Sequence, residues 1–311
     1  TGYWNTAVGS GSLTSNTTGA QNVAVGLKAL ASNTTANGNT AAGYNALTAN
    51  TTGTGNTAVG NGALDANTTA ANNTAVGLGA LGANTTGDDN TAVGNSCAES
   101  ITSGIDNTII GHNAGRETTT TGSYSVFVGL EAGDDNTTGN YNVYVGHGAG
   151  DKSTVSSANT FIGNNAGGAY NGASANTFNT FVGCDAGQSV TTGQKNVILG
   201  SYSGNSGGLD IRTSSNNIVL SDGDGNPRIY YNNGTLFVPD HGSEVSADTR
   251  YKLTVGNYSD WAKVIDHQYS TQYFISFRYN NTQVGGITAN GSTTNYATSS
   301  DHRLKENVVD L

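Results

Sequence analysis

Residues 56–60 read NTAVG, and the same five residues return at 73–77 and 90–94. Toward the N-terminus the motif is NTAVG at Asn5, NVAVG at Asn22 and NTAAG at Asn39. Toward the C-terminus it becomes NTIIG at Asn107, SVFVG at Ser125, NVYVG at Asn142, NTFIG at Asn159, NTFVG at Asn179, NVILG at Asn196 and a degenerate NIVLS at Asn217. That makes 13 copies, spaced 17 residues apart except for three longer steps where loops have grown. A fixed period of this kind marks a repeat architecture. Seventeen residues are too few for a helix pair, and a β-type run bounded by Gly and Asn implies one coil of a parallel β-roll or solenoid per repeat. Twelve steps at a strand spacing of about 4.8 Å give a rod on the order of 60 Å long.

Composition agrees with a thin rod and excludes other classes. The 311 residues carry 12 Lys+Arg and 22 Asp+Glu, a net charge of −10, with 45 Gly and 2 Pro. Only 11% are charged and 35% hydrophobic, too few for helices wrapped around an α/β core and too glycine-rich for a helical bundle. One basic residue, Lys28, precedes Arg116, so the first third of the chain has no patch for nucleic-acid phosphates. No run approaches the ~18 apolar residues of a membrane-spanning helix. The chain has no Met and opens on TGYWNTAVG, which reads as the interior of a longer polypeptide.

Numbering the motif Asn as position 1 of each coil, alternation along the strand puts positions 2 and 4 on one face and position 3 on the other. Position 3 is Ala in the first six copies (Ala7 to Ala92), then Ile109, Phe127, Tyr144, Phe161, Phe181 and Ile198. Position 9 changes in the opposite sense. It is Leu13, Leu30, Leu47, Leu64 and Leu81, then Ala98, then Gly115, Gly133, Gly150, Gly167, Gly187 and Gly204. A volume-conserving exchange predicts that the two side chains fill one interior space. Position 4 then looks outward, yet it is aliphatic in every copy: Val8, Val25, Ala42, Val59, Val76, Val93, Ile110, Val128, Val145, Ile162, Val182, Leu199 and Leu220. A stripe of that length exceeds what a soluble monomer leaves exposed, which predicts an oligomer with the stripe on its axis. The first five coils end in turns such as NTTG or NTTA, where Asn and Gly tolerate left-handed backbone and Thr closes local hydrogen bonds. Their Asn-x-Thr sequons read as turn chemistry rather than glycan acceptors.

These repeats, over roughly residues 1–221, resemble the β-roll head repeats of YadA-like trimeric adhesins, which also occur in phage tail fibres. The resemblance implies a homotrimer of left-handed rolls. The stretch NYATSSDHRLKENVVDL (295–311) is similar to the opening of the intramolecular chaperone domains of phage tailspikes and fibres, the peptidase S74 family, through Ser300, Asp301, Arg303, Leu304, Lys305, Glu306 and Asn307. In that family the chaperone assembles the trimer and releases itself by cutting after the serine. Carried onto this chain, Ser300 is the nucleophile, Lys305 the general base and Ser300–Asp301 the scissile bond. A lysine serves as base only where its surroundings keep it partly neutral. Only residues 301–311 follow Ser300, so Lys305 in this chain also reads as an ordinary charged tail residue.

The expected architecture is therefore all-β: a 13-coil parallel roll shaft (1–221), a hairpin connector (222–245), a small β-rich tip domain (246–296) and a truncated chaperone start (297–311). Asp222, Asp224 and Asn226 have the spacing that opens a calcium loop, but Pro227 stands where Gly is required, which favours a hairpin turn. The tip carries β-type runs such as QYFISFRY (272–279) and QVGGIT (283–288), and many aromatics. Most of these read as core, with Tyr258 and Trp261 the candidates for receptor contact. The five His have no metal-ligand spacing, and Asp134–Asp135 and Asp88–Asp89 read as solvated loop pairs. Cys97 and Cys184 are about 24 Å apart by the strand spacing, too far for a disulfide within the chain. The expectation is no metal, no cofactor and no external substrate: a virion-borne, host-receptor-binding tail fibre whose partners are its own sister chains and a cell-surface glycan or protein. Alternatives are the head of a trimeric autotransporter adhesin, an ice-binding β-solenoid built on repeated Thr, and a glycan-cutting enzyme.

Overall fold

The computed structural model describes residues 2–117, 121–172, 176–232, 235–237, 272–279, 282–289 and 294–298. No helix occurs among them. The chain divides into two compact units, Thr1–Pro227 with Tyr231–Asn233, and Arg228–Tyr230 with Gly234–Leu311.

The first unit is a parallel β-solenoid. Each motif contributes one short strand, from Thr6–Val8, Val23–Val25 and Thr40–Ala42 through Val197–Leu199, with Ile218–Ser221 as the thirteenth rung. Neighbouring strands pair in parallel and in motif register: Ala7 faces Ala24, Ala92 faces Ile109, Phe161 faces Phe181 and Ile198 faces Val219. The longer steps leave this register intact. The last of them contains a small antiparallel excursion, Asn205–Ser206 against Leu209–Asp210. In the second unit the rings of Tyr230 and Phe237 stack 4.7 Å apart.

Positions 3 and 9 meet inside the coil, as the exchange of sizes predicts. In the early coils Ala24, Ala41, Ala58 and Ala75 are buried together with Leu30, Leu47, Leu64 and Leu81. In the later coils the ring at position 3 occupies the space above a glycine. A Cβ on Gly167 would lie 2.6 Å from the Phe161 ring, and one on Gly150 would lie 2.7 Å from Tyr144. The rings form a continuous interior stack: Phe127–Tyr144 at 5.1 Å, Tyr144–Phe161 at 5.0 Å and Phe161–Phe181 at 4.8 Å, all within 9° of parallel. Tyr170 meets Phe161 and Phe181 edge-on, and the Tyr144 hydroxyl is satisfied by Ser153 Oγ at 2.8 Å. Stacked and edge-to-face pairs of this kind each contribute about 0.5–1.5 kcal/mol beyond area burial.

Two amide ladders hold the coils in register. Asn39 Oδ1 accepts the backbone N–H of Asn56 at 2.8 Å, while Asn39 Nδ2 donates to the Gly53 carbonyl at 2.8 Å. The position-1 side chain makes the corresponding coil-to-coil bond from Asn5 to Asn196, with Ser125 Oγ standing in for the amide in its coil. A second ladder runs through the sequon residues: Asn50 Nδ2 donates to Asn33 Oδ1, and Asn67 Nδ2 donates to Asn50 Oδ1. Asn33, Asn50, Asn67 and Asn84 are fully buried, so in the folded chain they are ladder rungs and not glycan acceptors.

The turn chemistry differs from expectation. Asn and Gly of the NTTG turns do not take left-handed backbone, and the Thr hydroxyls bond across coils rather than locally, as in Thr51 Oγ1 to the Thr68 carbonyl at 3.0 Å. Stacking in register offers each turn a fixed set of partners one coil away, and these win over local closure. The left-handed residues lie instead at position 9, including Leu30 (φ 51°) and Leu64 (φ 52°), at position 7, including Lys28 (φ 59°) and Glu131 (φ 55°), and at the residue just before the motif Asn.

In the second unit, Gln272–Tyr279, Thr282–Ala289 and Thr294–Thr298 form a three-stranded antiparallel sheet, with irregularities between Tyr273 and Ile275 and between Phe277 and Arg278.

Candidate functional site

Of the two faces each strand presents, one is the sealed coil interior and the other looks outward. On that outward face, position 4 forms an unbroken aliphatic column. Val8, Val25, Val59, Val93, Ile110, Ile162 and Leu199 are between 36% and 57% exposed in the single chain. Position 2 flanks it with Thr or Val, half-buried in most coils. The flatness of the column follows from in-register pairing, which places each aliphatic group directly above the last.

A second outward column lies two residues before position 2, at the residue preceding the motif Asn. It is left-handed in every coil and is filled by Gly38, Gly55, Asn72, Asp89, Asp106 and Asn216, residue types suited to that backbone, and by Gln21, Ala158 and Lys195, which are not. Four coils instead place an aromatic there: Trp4 (φ 58°), Tyr124 (φ 58°), Tyr141 (φ 59°) and Phe178 (φ 52°). All four are exposed, and Tyr124 and Tyr141 stack 5.1 Å apart and 6° from parallel. Sequence reasoning missed this column. The signal was an aromatic immediately before the motif in a column otherwise rich in Gly, Asn and Asp.

The catalytic pair expected from the C-terminal resemblance, Ser300 and Lys305, and the receptor-contact candidates Tyr258 and Trp261, lie outside the described residues. The calcium-like segment is a self-capped turn. Asp222 Oδ1 accepts the backbone N–H groups of Asp224 (3.1 Å) and Asn226 (2.9 Å).

Asp134, Asp135 and Asp151 bring one carboxylate oxygen each within 4.8 Å of one another, the group best arranged to hold a metal among the described residues. Two cations already serve it. Arg116 lies 3.0 Å from Asp134, and the Lys152 ammonium bridges Asp135 and Asp151 at 3.1 and 3.2 Å. Burial raises the Asp134 carboxyl above its ordinary range, and Arg116 works against that rise. Of the histidines, His147 pairs through Nδ1 with Asn164 at 3.0 Å and lies 4.0 Å from Glu131. Both cysteines are free thiols. Cys97 fills the small interior position held by Ala80 in the coil before it, and burial pushes its thiol up to about 12, so it is inert at neutral pH. Cys184 is exposed.

No helix among the described residues is long and apolar enough to cross a membrane. The fold therefore defines the class, a parallel β-solenoid of 17-residue coils. Comparison with protein-family models, curated proteins and solved structures gives no match.

Proposed function

We propose that this chain is the shaft and tip of a receptor-binding tail fibre of a virion, working as a homotrimer. The observation that carries this reading is the aliphatic column at position 4, exposed along the solenoid of a single chain. Burying such a column is worth roughly 25 cal/mol per Å² of apolar surface removed from water. A second and a third copy, each with the same column, complete one another's core about a common axis. The host-surface partner is a glycan or protein receptor, with Tyr258 and Trp261 as its contacts. The resemblance of residues 295–311 to self-releasing chaperones supports maturation by cleavage at Ser300–Asp301, with Lys305 as base in the longer precursor. No resident cofactor or enzyme activity on an external substrate is part of the reading. An ice-binding role is less well supported. The position-2 Thr column running from Thr40 to Thr108 gives way to Val126 and Val143, whereas the aliphatic column is unbroken.

Sedimentation equilibrium tests the reading. The expected species has three times the 31.5 kDa of the chain, and Val93→Asp, which sets a charge on the axis, dissociates it. A wild-type chain that stays monomeric at micromolar concentration overturns the proposal.

A further inference from the structure

The outward column before the motif Asn contains a ladder with one rung missing. Tyr124 and Tyr141 occupy adjacent coils and stack face to face at 5.1 Å. In the next coil the same position is Ala158 (φ 61°), and in the one after it is Phe178 (φ 52°). The strand register is kept across this gap, since Val143 pairs with Thr160 and Thr160 with Thr180, while just before the strand the longer step makes Thr177 rather than Phe178 the donor to the Ser157 carbonyl. At two strand spacings, the rungs on either side of Ala158 stand roughly 10 Å apart. A ring placed midway would lie about 5 Å from each, the distance at which Tyr124 and Tyr141 already stack.

The residue choice needs a cause. A bulky residue at positive φ is a true outlier, and left-handed backbone costs about 1–2 kcal/mol for a residue with a Cβ. The fold does not require aromatics in this column, because Gly, Asn and Asp, and also Gln21, Ala158 and Lys195, fill it elsewhere without interrupting the strand ladder. The rings are not buried in the chain either: Tyr141 is 61% exposed and Phe178 52%. Gln21 and Lys195 share this backbone strain, so what sets Tyr141 and Phe178 apart is the exposed ring itself, and an aromatic face left open beyond the Tyr124 stack points to binding.

The chemistry of the slot selects its occupant. Its walls are aromatic faces. Beside it, on the same face of the sheet, position 2 is Thr160 and Thr180, both half-buried and without a side-chain partner among the described residues. In the coils of the stacked pair, position 2 is Val126 and Val143. Apolar walls with hydroxyls at the rim fit a ring with C–H faces and a hydroxylated edge. The net charge of −10 favours a neutral ring over an acidic one. We infer that Tyr141 and Phe178 flank a shaft-borne site for a neutral hexopyranose, with Ala158 as its floor and Thr160 and Thr180 bonding the sugar's hydroxyls. This names a ligand class for the receptor-binding reading and rests on it for biological context only.

The test uses the full chain on an array of immobilised neutral hexopyranose oligosaccharides of gluco, galacto and manno stereochemistry, with uronic-acid oligomers beside them. The expected result is retention of at least one neutral class. Tyr141→Ser or Phe178→Ser should weaken it about tenfold, the factor that corresponds to about 1.4 kcal/mol. Tyr141→Trp should restore it. Ala158→Tyr, which fills the missing rung, should abolish binding while leaving the thermal midpoint and the sedimenting mass unchanged. Failure to retain any neutral sugar, or binding that Ala158→Tyr leaves intact, overturns the site. So does dissociation of the oligomer by Tyr141→Ser, which would mean that a sister chain covers the ring. The sedimenting mass of the wild type decides the fibre reading separately, so the two fail independently.

Discussion

The coils before Asn107 and those after Ser125 share a backbone and differ in how they fill it. In both halves position 9 is left-handed, at φ 51° for Leu47 and 61° for Gly167. The first five coils carry a leucine on that backbone opposite an alanine, and the sixth carries Ala98. The later coils put glycine there and let a ring from position 3 lie across it. The first solution uses a side chain that opposes its own backbone conformation, by about 1–2 kcal/mol per coil. The second removes that opposition and adds ring-to-ring stacking between coils. One cross-section therefore accepts two packings, provided the summed volume is kept.

The largest effect is expected from mixing the two solutions in one coil. Gly167→Leu would place a Cβ 2.6 Å from the Phe161 ring at a φ of 61°, and overpacking plus backbone strain should destabilise by about 3–5 kcal/mol. Phe161→Ala alone should cost about 3–5 kcal/mol through the cavity it leaves. The double variant recreates the Ala/Leu pair of the early coils. Denaturant titration should place it only about 1–3 kcal/mol below wild type, the remainder being the lost stacking on Tyr144 and Phe181. Additive losses would show that the two positions do not share one space.

That pairing was legible in the sequence because volume is written in residue type: Ala with Leu and Phe with Gly are visible as letters. So was the outward aliphatic column, since strand alternation fixes it once position 3 is inside. The strands at 272–279 and 282–289 were legible as β-type runs, but their antiparallel pairing was not read from them. The left-handed leucines were not, because leucine carries no mark of such a backbone and only in-register stacking imposes it. The position-1 Asn was in plain view in nearly every copy. Its meaning required knowing that the next coil's N–H lies directly above, which is a property of the stack and not of any single repeat.

That ladder is common to both halves, so its loss should be felt in each. Asn56 Oδ1 accepts the Asn73 N–H at 2.9 Å and its Nδ2 donates to Ala70; Asn179 makes the same pair of bonds to Asn196 and Gly193. Asn179→Ala removes the partners of the Asn196 N–H and the Gly193 carbonyl, whereas Asn56→Ala removes that of the Asn73 N–H while the Ala70 carbonyl keeps Asn67 Nδ2 at 3.0 Å. At roughly 1–3 kcal/mol per group, Asn56→Ala should lose about 1–3 kcal/mol and Asn179→Ala about 2–4 kcal/mol. Hydrogen exchange should show the Asn73 and Asn196 amides deprotected in the respective variants. A loss confined to the later coils would mean that ring stacking, not the amide ladder, sets the register there.

The smallest expected effect is on pH dependence, at one position that carries an acid in both halves. Position 10 is Asp65 in an early coil and Asp134 in a later one, and burial raises both carboxyls above the ordinary value of 3.8. Glu99 adds to the rise at Asp65; at Asp134 the nearby Arg116 opposes it, while Asp135 and Asp151 reinforce it. A raised carboxyl means that the folded state holds its proton more tightly than the unfolded one. Its contribution to stability is therefore fully present below the unfolded value and is lost as pH rises through the higher folded value. Asp65→Asn and Asp134→Asn remove that loss, so each should be more stable than wild type at pH 7, with the advantage disappearing by about pH 3. Asp134 Oδ1 is buried without a hydrogen-bond partner, which leaves desolvation uncompensated at that atom. Thermal midpoints measured across the acid range check the sign. An Asp134→Asn variant less stable than wild type at pH 7 would mean that the Arg116 ion pair outweighs burial, and that in the later coils charge pairing as well as ring stacking holds this edge of the solenoid.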